Sequence, residues 1–250
     1  MSDRRTASFW AASAGAPLVI LTDFDYTITT VDVGDLLVEK LCPPSPESLR
    51  RFWRKEIGSR LIWLDSMARV NPTEGRALAD GVTIDPHFRR FVEWTAAQGI
   101  PLAVVSDGFT FYIEQILRRE SLDHLPVFAN EWVSPGELAW PHANPACDWC
   151  GCCKAAVARR LRAAGSQVVF MGDGVSDLYA AGFADYIFAR GRLAHHLEEQ
   201  GSPFFPLDSF EEPLMLLRQH LERFQRGSME RRSTLRAHPQ CRFPEGVSHS

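Results

Sequence analysis

The sequence predicts an α/β fold built on a mostly parallel sheet. Short apolar runs bounded by Pro, Gly or Asp recur along the chain, and segments of helical periodicity lie between them. Alternation of this kind is typical of α/β proteins. The chain has 250 residues, of which 45% are hydrophobic and 23% are charged, so it can bury a sizeable core and still carry a smaller appendage.

Four apolar runs predict buried strands, because strands that are covered on both faces are apolar throughout. They are LVILT at 18–22, LAVVS at 102–106, VVFM at 168–171 and YIFA at 186–189. Apolar residues spaced three and four apart predict the helices that cover this sheet. These apolar faces lie within residues 88–96, 109–117, 157–164 and 214–224.

Residues 31–82 interrupt the alternation, because they contain helical stretches and no convincing strand. We expect a small helical domain inserted after the first strand, with the α/β core formed by residues 17–30 and 83–222. The last 25 residues hold five arginines and few large apolar side chains. Residues 1–16 and 226–250 are therefore expected to be flexible termini.

Composition excludes several classes of protein. The chain carries 27 basic and 31 acidic side chains, a formal net charge of −4, whereas nucleic-acid-binding domains normally have a basic excess. No run approaches the ~20 apolar residues of a membrane span, and the first residues do not resemble a signal peptide. Six cysteines are too few for a disulfide scaffold. We expect a cytoplasmic monomer or homodimer that binds neither nucleic acid nor membrane.

Acidic residues follow three of the four predicted strands. Open α/β sheets place their ligands at the C-terminal ends of the strands, so these carboxylates are expected to converge. Clustered carboxylates with no thiolate or imidazole between them favour a hard cation, and Mg²⁺ is the usual one where phosphate is handled. The three groups are Asp23 and Asp25, then Ser106, Asp107 and Gly108, then Asp173 and Asp177.

Lys154 is the candidate for a basic group near this cluster. A transferred phosphoryl group needs its equatorial oxygens neutralised. Lys154 opens a helical segment, where its ammonium and the amides of the helix N-terminus can face the same anion. A D-x-D motif or a lysine at a helix start is by itself more often structural, so the prediction depends on the ordered set.

These residues resemble the four motifs of the haloacid dehalogenase-like phosphohydrolases, in order: DFDYTIT, the serine of VVSDGF, Lys154 and GDGVSD. The resemblance covers about residues 17–222 and implies a Rossmannoid three-layer α/β/α core. The helical insertion 31–82 resembles the C1 cap of phosphoserine phosphatase-like members. The stretch WPHANPACDWCGCCK resembles the segment before the motif lysine in methionine-salvage phosphatases, which act on 2-hydroxy-3-keto-5-methylthiopentenyl-1-phosphate.

The resemblance implies a Mg²⁺-dependent phosphatase that works on a small phosphorylated metabolite through an aspartyl-phosphate. Asp23 would be the nucleophile, and Asp25 would protonate the leaving group and then activate water. The metal set would be Asp23, Asp25 through its carbonyl, Asp173 and Asp177, the last of which could instead orient Lys154. The phosphate set would be Asp23, Ser106, Asp107, Gly108 and Lys154.

Two positions depart from the family's pattern. Position 26 is Tyr, where the family usually has a small residue, so its ring is a candidate to contact substrate. Asp107 follows the motif serine where many members have Gly, and strand alternation predicts that its carboxylate points away from Ser106. Further candidate substrate contacts are Asp32, Trp63 and Arg69, for which a solvated or core side chain is the competing interpretation.

Four cysteines crowd into seven positions: Cys147, Cys150, Cys152 and Cys153. C-x-x-C is half of a structural zinc site, but no second pair follows, and adjacent cysteines rarely bind one tetrahedral ion. We favour a reduced turn that positions Lys154 over a zinc site or a redox pair.

The sequence leaves alternatives open within this chemistry. A phosphoserine phosphatase, a phosphatase of another small alcohol, and a phosphotransferase that passes the phosphoryl group to an acceptor other than water would all use the same residues. A non-catalytic sensor is disfavoured, because no catalytic position is lost.

Overall fold

The computed structural model describes residues 2–243. Its centre is a seven-stranded sheet with the order β4-β3-β2-β1-β5-β6-β7. The strands are β1 (Leu18–Thr22), β2 (Leu102–Phe109), β3 (Val127–Ser134), β4 (Glu137–Ala139), β5 (Gln167–Gly172), β6 (Tyr186–Ala189) and β7 (Phe205–Pro206). The helices are α1 (Ser2–Ser13), α2 (Val33–Leu41), α3 (Pro46–Trp53), α4 (Ser59–Asp65), the 3₁₀ helix η1 (Met67–Arg69), α5 (Pro72–Ala79), α6 (Phe88–Ala97), α7 (Thr110–Arg119), α8 (Lys154–Ala163), α9 (Asp177–Ala181), α10 (Gly191–Glu199) and α11 (Glu211–Gln225).

The predicted α/β fold with a mostly parallel sheet is confirmed. In the described residues every pairing is parallel except that of β3 with β4. Strands β1, β2 and β6 are buried along their whole length, which is why β1, β6 and the first four residues of β2 are apolar without alternation.

The sequence did not predict β3, β4 and β7. Strand β3 reads VFANEWVS, and only its first four residues are buried, so it has neither an unbroken apolar run nor a period of two. The other two strands have three and two residues. Such short edge strands carry too little pattern to be recognised in a sequence.

The sheet is the middle of three layers. Leu18 and Ile20 of β1 join an apolar cluster with α6, α7 and α11 on one face. Val19 and Leu21 point to the other face, where they pack with α1, α8, α9 and α10. Within residues 2–243, none of the helices has the length and apolar character needed to cross a membrane.

Helices α2 to α5, within residues 33–79, lie between β1 and α6, in the segment 31–82 where the sequence predicts a helical insertion. Side chains of Asp32, Ser45 and Asn71 cap the N-termini of α2, α3 and α5, which explains where these helices begin. Thr29 forms an isolated antiparallel bridge with Ile84. The chain therefore enters and leaves the insertion through two adjacent segments, close to the end of β1.

The N-terminal residues differ from the expectation of a flexible terminus. Helix α1 packs on the sheet through Phe9, which is 3% exposed and meets the ring of Phe128 edge-on at 5.6 Å. The guanidinium of Arg160 covers the ring of Trp10 at 3.8 Å. Aromatic burial thus holds a segment that has no strong apolar periodicity.

The C-terminal segment also differs from that expectation as far as it is described. Met229 is buried, and its N–H donates to the hydroxyl of Tyr186 at 3.1 Å. Further along, Phe243 packs edge-on against Phe183 at 5.4 Å. Residues 244–250, the end of the predicted flexible tail, lie outside the described residues.

Candidate active site

Carboxylates from two neighbouring strands meet at one edge of the sheet. Strands β1 and β5 pair in register, with Thr22 opposite Met171, and the N–H of Asp23 continues the ladder by donating to the Met171 carbonyl at 2.8 Å. Asp173 follows β5 directly. One carboxylate oxygen from each of Asp23, Asp173 and Asp177 lies within 4.8 Å of the other two. The convergence expected from the strand ends is therefore present.

Lys154, the first residue of α8, lies buried against this cluster. Its Nζ is 2.6 Å from Asp23 Oδ1 and 2.7 Å from Asp177 Oδ1, and it also donates to Ser176 Oγ at 3.2 Å. Burial alone would lower the pKa of Lys154, but the carboxylates of Asp177 and Asp23 outweigh it and hold this pKa well above its usual value. Lys154 therefore stays positively charged.

Asp177 has both of its carboxylate oxygens hydrogen-bonded within the protein. Oδ1 accepts from Lys154, and Oδ2 accepts from the N–H groups of Asp173 at 3.0 Å and Gly174 at 2.8 Å. A side chain at Gly172 would place its Cβ 2.6 Å from Asp177 Oδ2, so only glycine allows this approach. The arrangement suits Asp177 to positioning Lys154 and the loop after β5.

The three carboxylates fit a hard divalent cation. Burial, followed by the charge of Asp177, raises the pKa of Asp23 well above its usual value. Burial and Asp177 also raise the pKa of Asp173 to about 7, although Thr27 Oγ1 donates to Asp173 Oδ1 at 3.0 Å. A cation would remove this repulsion, and a donor set of carboxylate oxygens is what Mg²⁺ prefers.

The Asp25 carboxylate has a different set of partners. Its Oδ2 accepts from the hydroxyl of Tyr112 at 2.8 Å and from Ser106 Oγ at 3.3 Å, and its Oδ1 accepts from the N–H of Val33 at 3.1 Å. Burial and the nearby charge of Asp32 raise the pKa of Asp25 to about 8. A carboxyl group with such a pKa can both give and take a proton near neutral pH.

Gly108 is required where β2 passes the Asp25 carboxylate. A Cβ at this position would lie 1.9 Å from the hydroxyl of Tyr112 and 2.7 Å from Asp25 Oδ2. The N–H of Gly108 donates to Ser106 Oγ at 2.9 Å, which fixes the serine hydroxyl beside Asp25. Strand β2 is longer than predicted because it continues through this segment to Phe109.

The Asp107 carboxylate ties β2 to the cysteine-rich loop. Its Oδ1 accepts from the N–H of Cys152 at 3.0 Å and from Asn130 Nδ2 at 3.3 Å. Asn130 Nδ2 also donates to the Asp107 carbonyl at 2.6 Å. The carboxylate is thus engaged by the loop before Lys154, and its predicted role in phosphate binding stays a prediction.

Tyr26 occupies the left-handed region, with φ of 50°, at the position where the motif that the sequence resembles usually has a small residue. Its ring is 46% exposed, and the guanidinium of Arg190 lies 4.7 Å from the ring centroid. Arg190 Nε also donates to the Tyr26 carbonyl at 2.7 Å. Arg190 therefore fixes Tyr26, which lies in the segment that connects β1 to the insertion. The sequence did not predict this contact.

The other candidate substrate contacts lie in or beside the insertion. Asp32 Oδ1 caps α2 by accepting from Asp35 N at 2.7 Å, and burial raises the pKa of Asp32 to about 6. Trp63 is half-buried and meets Phe109 edge-on at 5.8 Å. Arg69 is exposed and donates to backbone carbonyls of the insertion, so its guanidinium is engaged away from the strand ends.

Tyr112 contacts the site through its hydroxyl, although the sequence predicts only a packing role for it. Its spacing with Phe109 and Ile116 predicts the apolar face of α7, and it is indeed fully buried. A tyrosine on a buried helix face has a hydroxyl that needs a partner. That partner is Asp25 Oδ2, and the need for one was the signal available in the sequence.

The cysteine-rich loop leads into α8 at Lys154, as predicted from the sequence order. Cys152 and Cys153 are buried, Cys147 and Cys150 are half-buried, and all are free thiols. Burial raises the pKa of Cys152 and of Cys153 above the usual thiol value, so these thiols are protonated at neutral pH.

Sequence comparisons show which known proteins this chain is similar to. Residues 20–182 match the family model described as haloacid dehalogenase-like hydrolase. A 2-hydroxy-3-keto-5-methylthiopentenyl-1-phosphate phosphatase of Brevibacillus brevis is 32% identical over 215 residues, which are 81% of this chain and 96% of the relative. A phosphatase of the same name from Exiguobacterium sibiricum is 32% identical over 202 residues, 76% of this chain and 92% of the relative.

Solved structures share the fold. A crystal structure of phosphoserine phosphatase in its apo form has a TM-score of 0.59 and 18% identity, and covers 79% of this chain and 98% of its own. A phosphoserine phosphatase carrying an analogue of the phospho-aspartyl intermediate also has a TM-score of 0.59, at 16% identity. The motifs, the sheet and these sequence relatives together show that the chain belongs to the haloacid dehalogenase-like hydrolase family.

Proposed function

We propose that this chain is a Mg²⁺-dependent phosphatase that hydrolyses a small phosphorylated metabolite through an aspartyl-phosphate at Asp23. The observation that supports it most directly is the meeting of the Lys154 ammonium with Asp23 and Asp177, at 2.6 and 2.7 Å, beside Asp173. A fixed positive side chain and a carboxylate cluster at one sheet edge suit a phosphate dianion accompanied by a cation.

The first step is in-line attack by a carboxylate oxygen of Asp23 on phosphorus. The Asp23–phosphorus bond forms as the bond from phosphorus to the substrate alcohol breaks, and the leaving oxygen takes a proton from Asp25. With its pKa raised to about 8, Asp25 carries that proton at neutral pH. Ser106 and Lys154 bind the non-bridging oxygens.

The second step restores Asp23. Asp25, now a carboxylate, accepts a proton from water as the water oxygen attacks phosphorus, and the bond to Asp23 breaks to release inorganic phosphate. Tyr112 and Val33 hold the Asp25 side chain in place through hydrogen bonds of 2.8 and 3.1 Å. The same group therefore serves as acid and then as base.

Asp23, Asp173 and the backbone carbonyl of Asp25 are the groups that would hold Mg²⁺. When bound, the ion offsets negative charge and so lets a carboxylate approach a phosphate dianion. Asp177, with both oxygens already hydrogen-bonded, positions Lys154 and the backbone at Asp173.

The substrate to test first is 2-hydroxy-3-keto-5-methylthiopentenyl-1-phosphate, which names the relatives from Brevibacillus brevis and Exiguobacterium sibiricum. Its methylthio group is apolar and polarisable, and thioethers pack favourably against aromatic rings. Trp63, Phe111 and Trp140 surround Phe109 with centroid distances of 5.8, 6.4 and 6.3 Å. This aromatic group is centred on Phe109, three residues after Ser106 in β2, and it suits such a tail.

The insertion, residues 31–82, is proposed as the cap of a core formed by residues 17–30 and 83–222. It supplies the Val33 N–H to Asp25 and the Trp63 ring to the aromatic group. All six cysteines are free thiols, which supports the proposed cytoplasmic location, because thiols stay reduced there.

The test measures inorganic phosphate released from a panel of the methylthiopentenyl phosphate, phosphoserine and p-nitrophenyl phosphate, with Mg²⁺ or with EDTA. Hydrolysis should require Mg²⁺, and Asp23→Asn should reduce it by more than about 10³-fold. Asp123→Asn, which changes an exposed carboxylate between α7 and β3, is the matched control. Retained activity in Asp23→Asn would overturn the mechanism.

The panel also separates the alternatives. Preference for phosphoserine would replace the proposed substrate but keep the mechanism. An alcohol is then added as a possible acceptor. If the substrate is consumed faster than inorganic phosphate is released, the enzyme is a phosphotransferase.

A further inference from the structure

A fifth cysteine lies at the cysteine-rich loop. Cys241, near the end of the described chain, lines the same cavity as Cys147, Cys150, Cys152 and Cys153. The sequence gives no sign of this approach, because it separates Cys241 from the loop by α8, three strands and three further helices. The C-terminal segment therefore brings one further thiol to the C-x-x-C pair of the loop.

Hydrogen bonds on both sides of Cys241 hold it against the loop. Before it, the hydroxyl of Tyr179 accepts from Trp149 Nε1 at 2.8 Å and donates to Gln240 Oε1 at 3.3 Å. After it, Asn144 Nδ2 donates to the Arg242 carbonyl. The segment and the loop are thus joined through Trp149 and Asn144, two residues of the loop itself.

Cys152 differs from the other four thiols because its contact lies in the sheet, whereas Cys153 contacts Asn144, a residue of the loop itself. Cys152 is fully buried, and its Sγ donates to the Phe128 carbonyl of β3 at 3.5 Å. The remaining thiols have the spacing C-x-x-C-x-x-C in the loop, with one more from the tail. This arrangement removes the objection that adjacent cysteines cannot share one tetrahedral ion.

We propose that Cys147, Cys150, Cys153 and Cys241 bind one structural Zn²⁺, separate from the carboxylate site. Four cysteine thiolates are an established ligand set for structural zinc. Within residues 2–243, Asp23, Asp173 and Asp177 have carboxylate oxygens within 4.8 Å of one another, and no three thiol sulfurs lie that close together. Zinc binding must therefore bring the thiol sulfurs closer together, and each thiol gives up its proton when it becomes a ligand.

Burial and chemistry disfavour a redox pair at the same place. Burial raises the pKa of Cys153, and it raises the pKa of Cys241 to about 12. Thiols of this kind are poor nucleophiles, whereas a bound cation supplies the positive charge that thiolates require.

A zinc ion here would fasten three parts of the molecule. The loop already receives hydrogen bonds from the insertion, since Arg60 donates from its N–H to Trp149 O and from its Nε to Cys150 O, each at 3.2 Å. Zinc would add the C-terminal segment to this junction. Lys154 follows Cys153 directly, so the ion acts as a positioning element for the lysine.

The test uses the full chain, purified without chelator, and measures its zinc content. We expect about one Zn²⁺ per chain, and replacement by Co²⁺ should give the thiolate-to-cobalt charge-transfer absorption that carboxylate ligands do not produce. Cys241→Ser and Cys147→Ser should each weaken metal retention by at least about 10-fold. Cys42→Ser is the matched control, because Cys42 is buried in the insertion and its Sγ donates to the Leu37 carbonyl.

Three outcomes would overturn the proposal: wild-type protein without zinc, retention of zinc by both Cys241→Ser and Cys147→Ser, or a disulfide among the four cysteines in a non-reducing mass measurement. Two variants at separate places in the chain keep the test decisive when one of them does not fold. Phosphatase activity is not a readout, so this proposal and the proposed function can fail independently.

Discussion

The hydroxyl of Tyr112 donates to Asp25 Oδ2 across 2.8 Å. Burial and the charge of Asp32 raise the pKa of Asp25, and this hydrogen bond acts in the opposite direction. Burial, and then the charge of Asp25, hold the pKa of Tyr112 well above its usual value. The tyrosine therefore remains a donor at every pH at which the aspartate changes its protonation.

Replacing Tyr112 with Phe should lower kcat about 10-fold. General acid–base catalysis as a whole supplies a rate enhancement of about 10²–10⁴-fold, and the variant would lose part of it. Loss of the hydrogen bond also raises the pKa of Asp25 above about 8. The proposed first step needs protonated Asp25, so the alkaline limb of kcat/KM should move to higher pH. Steady-state kinetics across the pH range measure both effects.

The matched control is Tyr186→Phe, because Tyr186 is also fully buried and its hydroxyl bonds to the backbone, at Met229. It should leave the pH profile of kcat/KM unchanged. If Tyr112→Phe lowers kcat without moving the alkaline limb, Tyr112 does not act through Asp25.

Replacing Lys154 with Met should destabilise the metal-free protein by about 3 kcal/mol, because it leaves buried carboxylates without their counter-charge. Mg²⁺ should restore part of the lost free energy of unfolding by supplying positive charge to the same carboxylates. Denaturant unfolding with EDTA or with Mg²⁺ measures this difference. Lys40→Met, at an exposed position at the end of α2, should cost no more than about 0.5 kcal/mol, and an equal loss in the two variants would contradict the prediction.

The stability of the metal-free protein should also depend on Asp25. Its pKa is about 8 in the folded protein, raised from 3.8. Below about pH 4 the carboxyl is protonated in both states. Between about pH 4 and pH 8 the unfolded chain gives up this proton while the folded chain keeps it, so the free energy of unfolding falls as pH rises.

Asp25→Asn does not titrate, so its stability relative to the wild type should increase over this pH range by up to about 1.4 kcal/mol per pH unit and then level off. Urea unfolding in EDTA at several pH values measures the difference. Asp123→Asn should show no such trend. A relative stability of Asp25→Asn that decreases with pH would show that the folded-state pKa of Asp25 is not raised.

The strand ends were predictable because parallel strands place their carboxyl ends at one edge of the sheet. Once β1 and β5 are identified, Asp23 and Asp173 are required to be close. Lys154 could be added from the ordered motifs. Strand alternation predicted that the Asp107 carboxylate points away from Ser106, but its contact with the cysteine-rich loop had no signal in the sequence.

Other contacts had no local signal. The hydrogen bond from Tyr112 to Asp25 depends on the orientation of α7 against β2. The hydrogen bond from Arg190 to the Tyr26 carbonyl joins residues 164 positions apart. The approach of Cys241 depends on where a segment without regular structure lies on the surface. Single-sequence patterns describe local periodicity, so contacts of this kind become visible only in the folded chain.

The ion pair of Lys154 with Asp23 joins residues 131 positions apart. An N-terminal fragment that contains the proposed nucleophile therefore lacks its counter-charge until the chain has been made as far as α8, and Asp173 comes later still. Bringing residues so far apart in the chain into contact costs more conformational entropy than forming a local helix does. During synthesis the helical insertion is complete well before Lys154 and Asp173 are made, so an incomplete chain has the insertion but lacks the proposed active site.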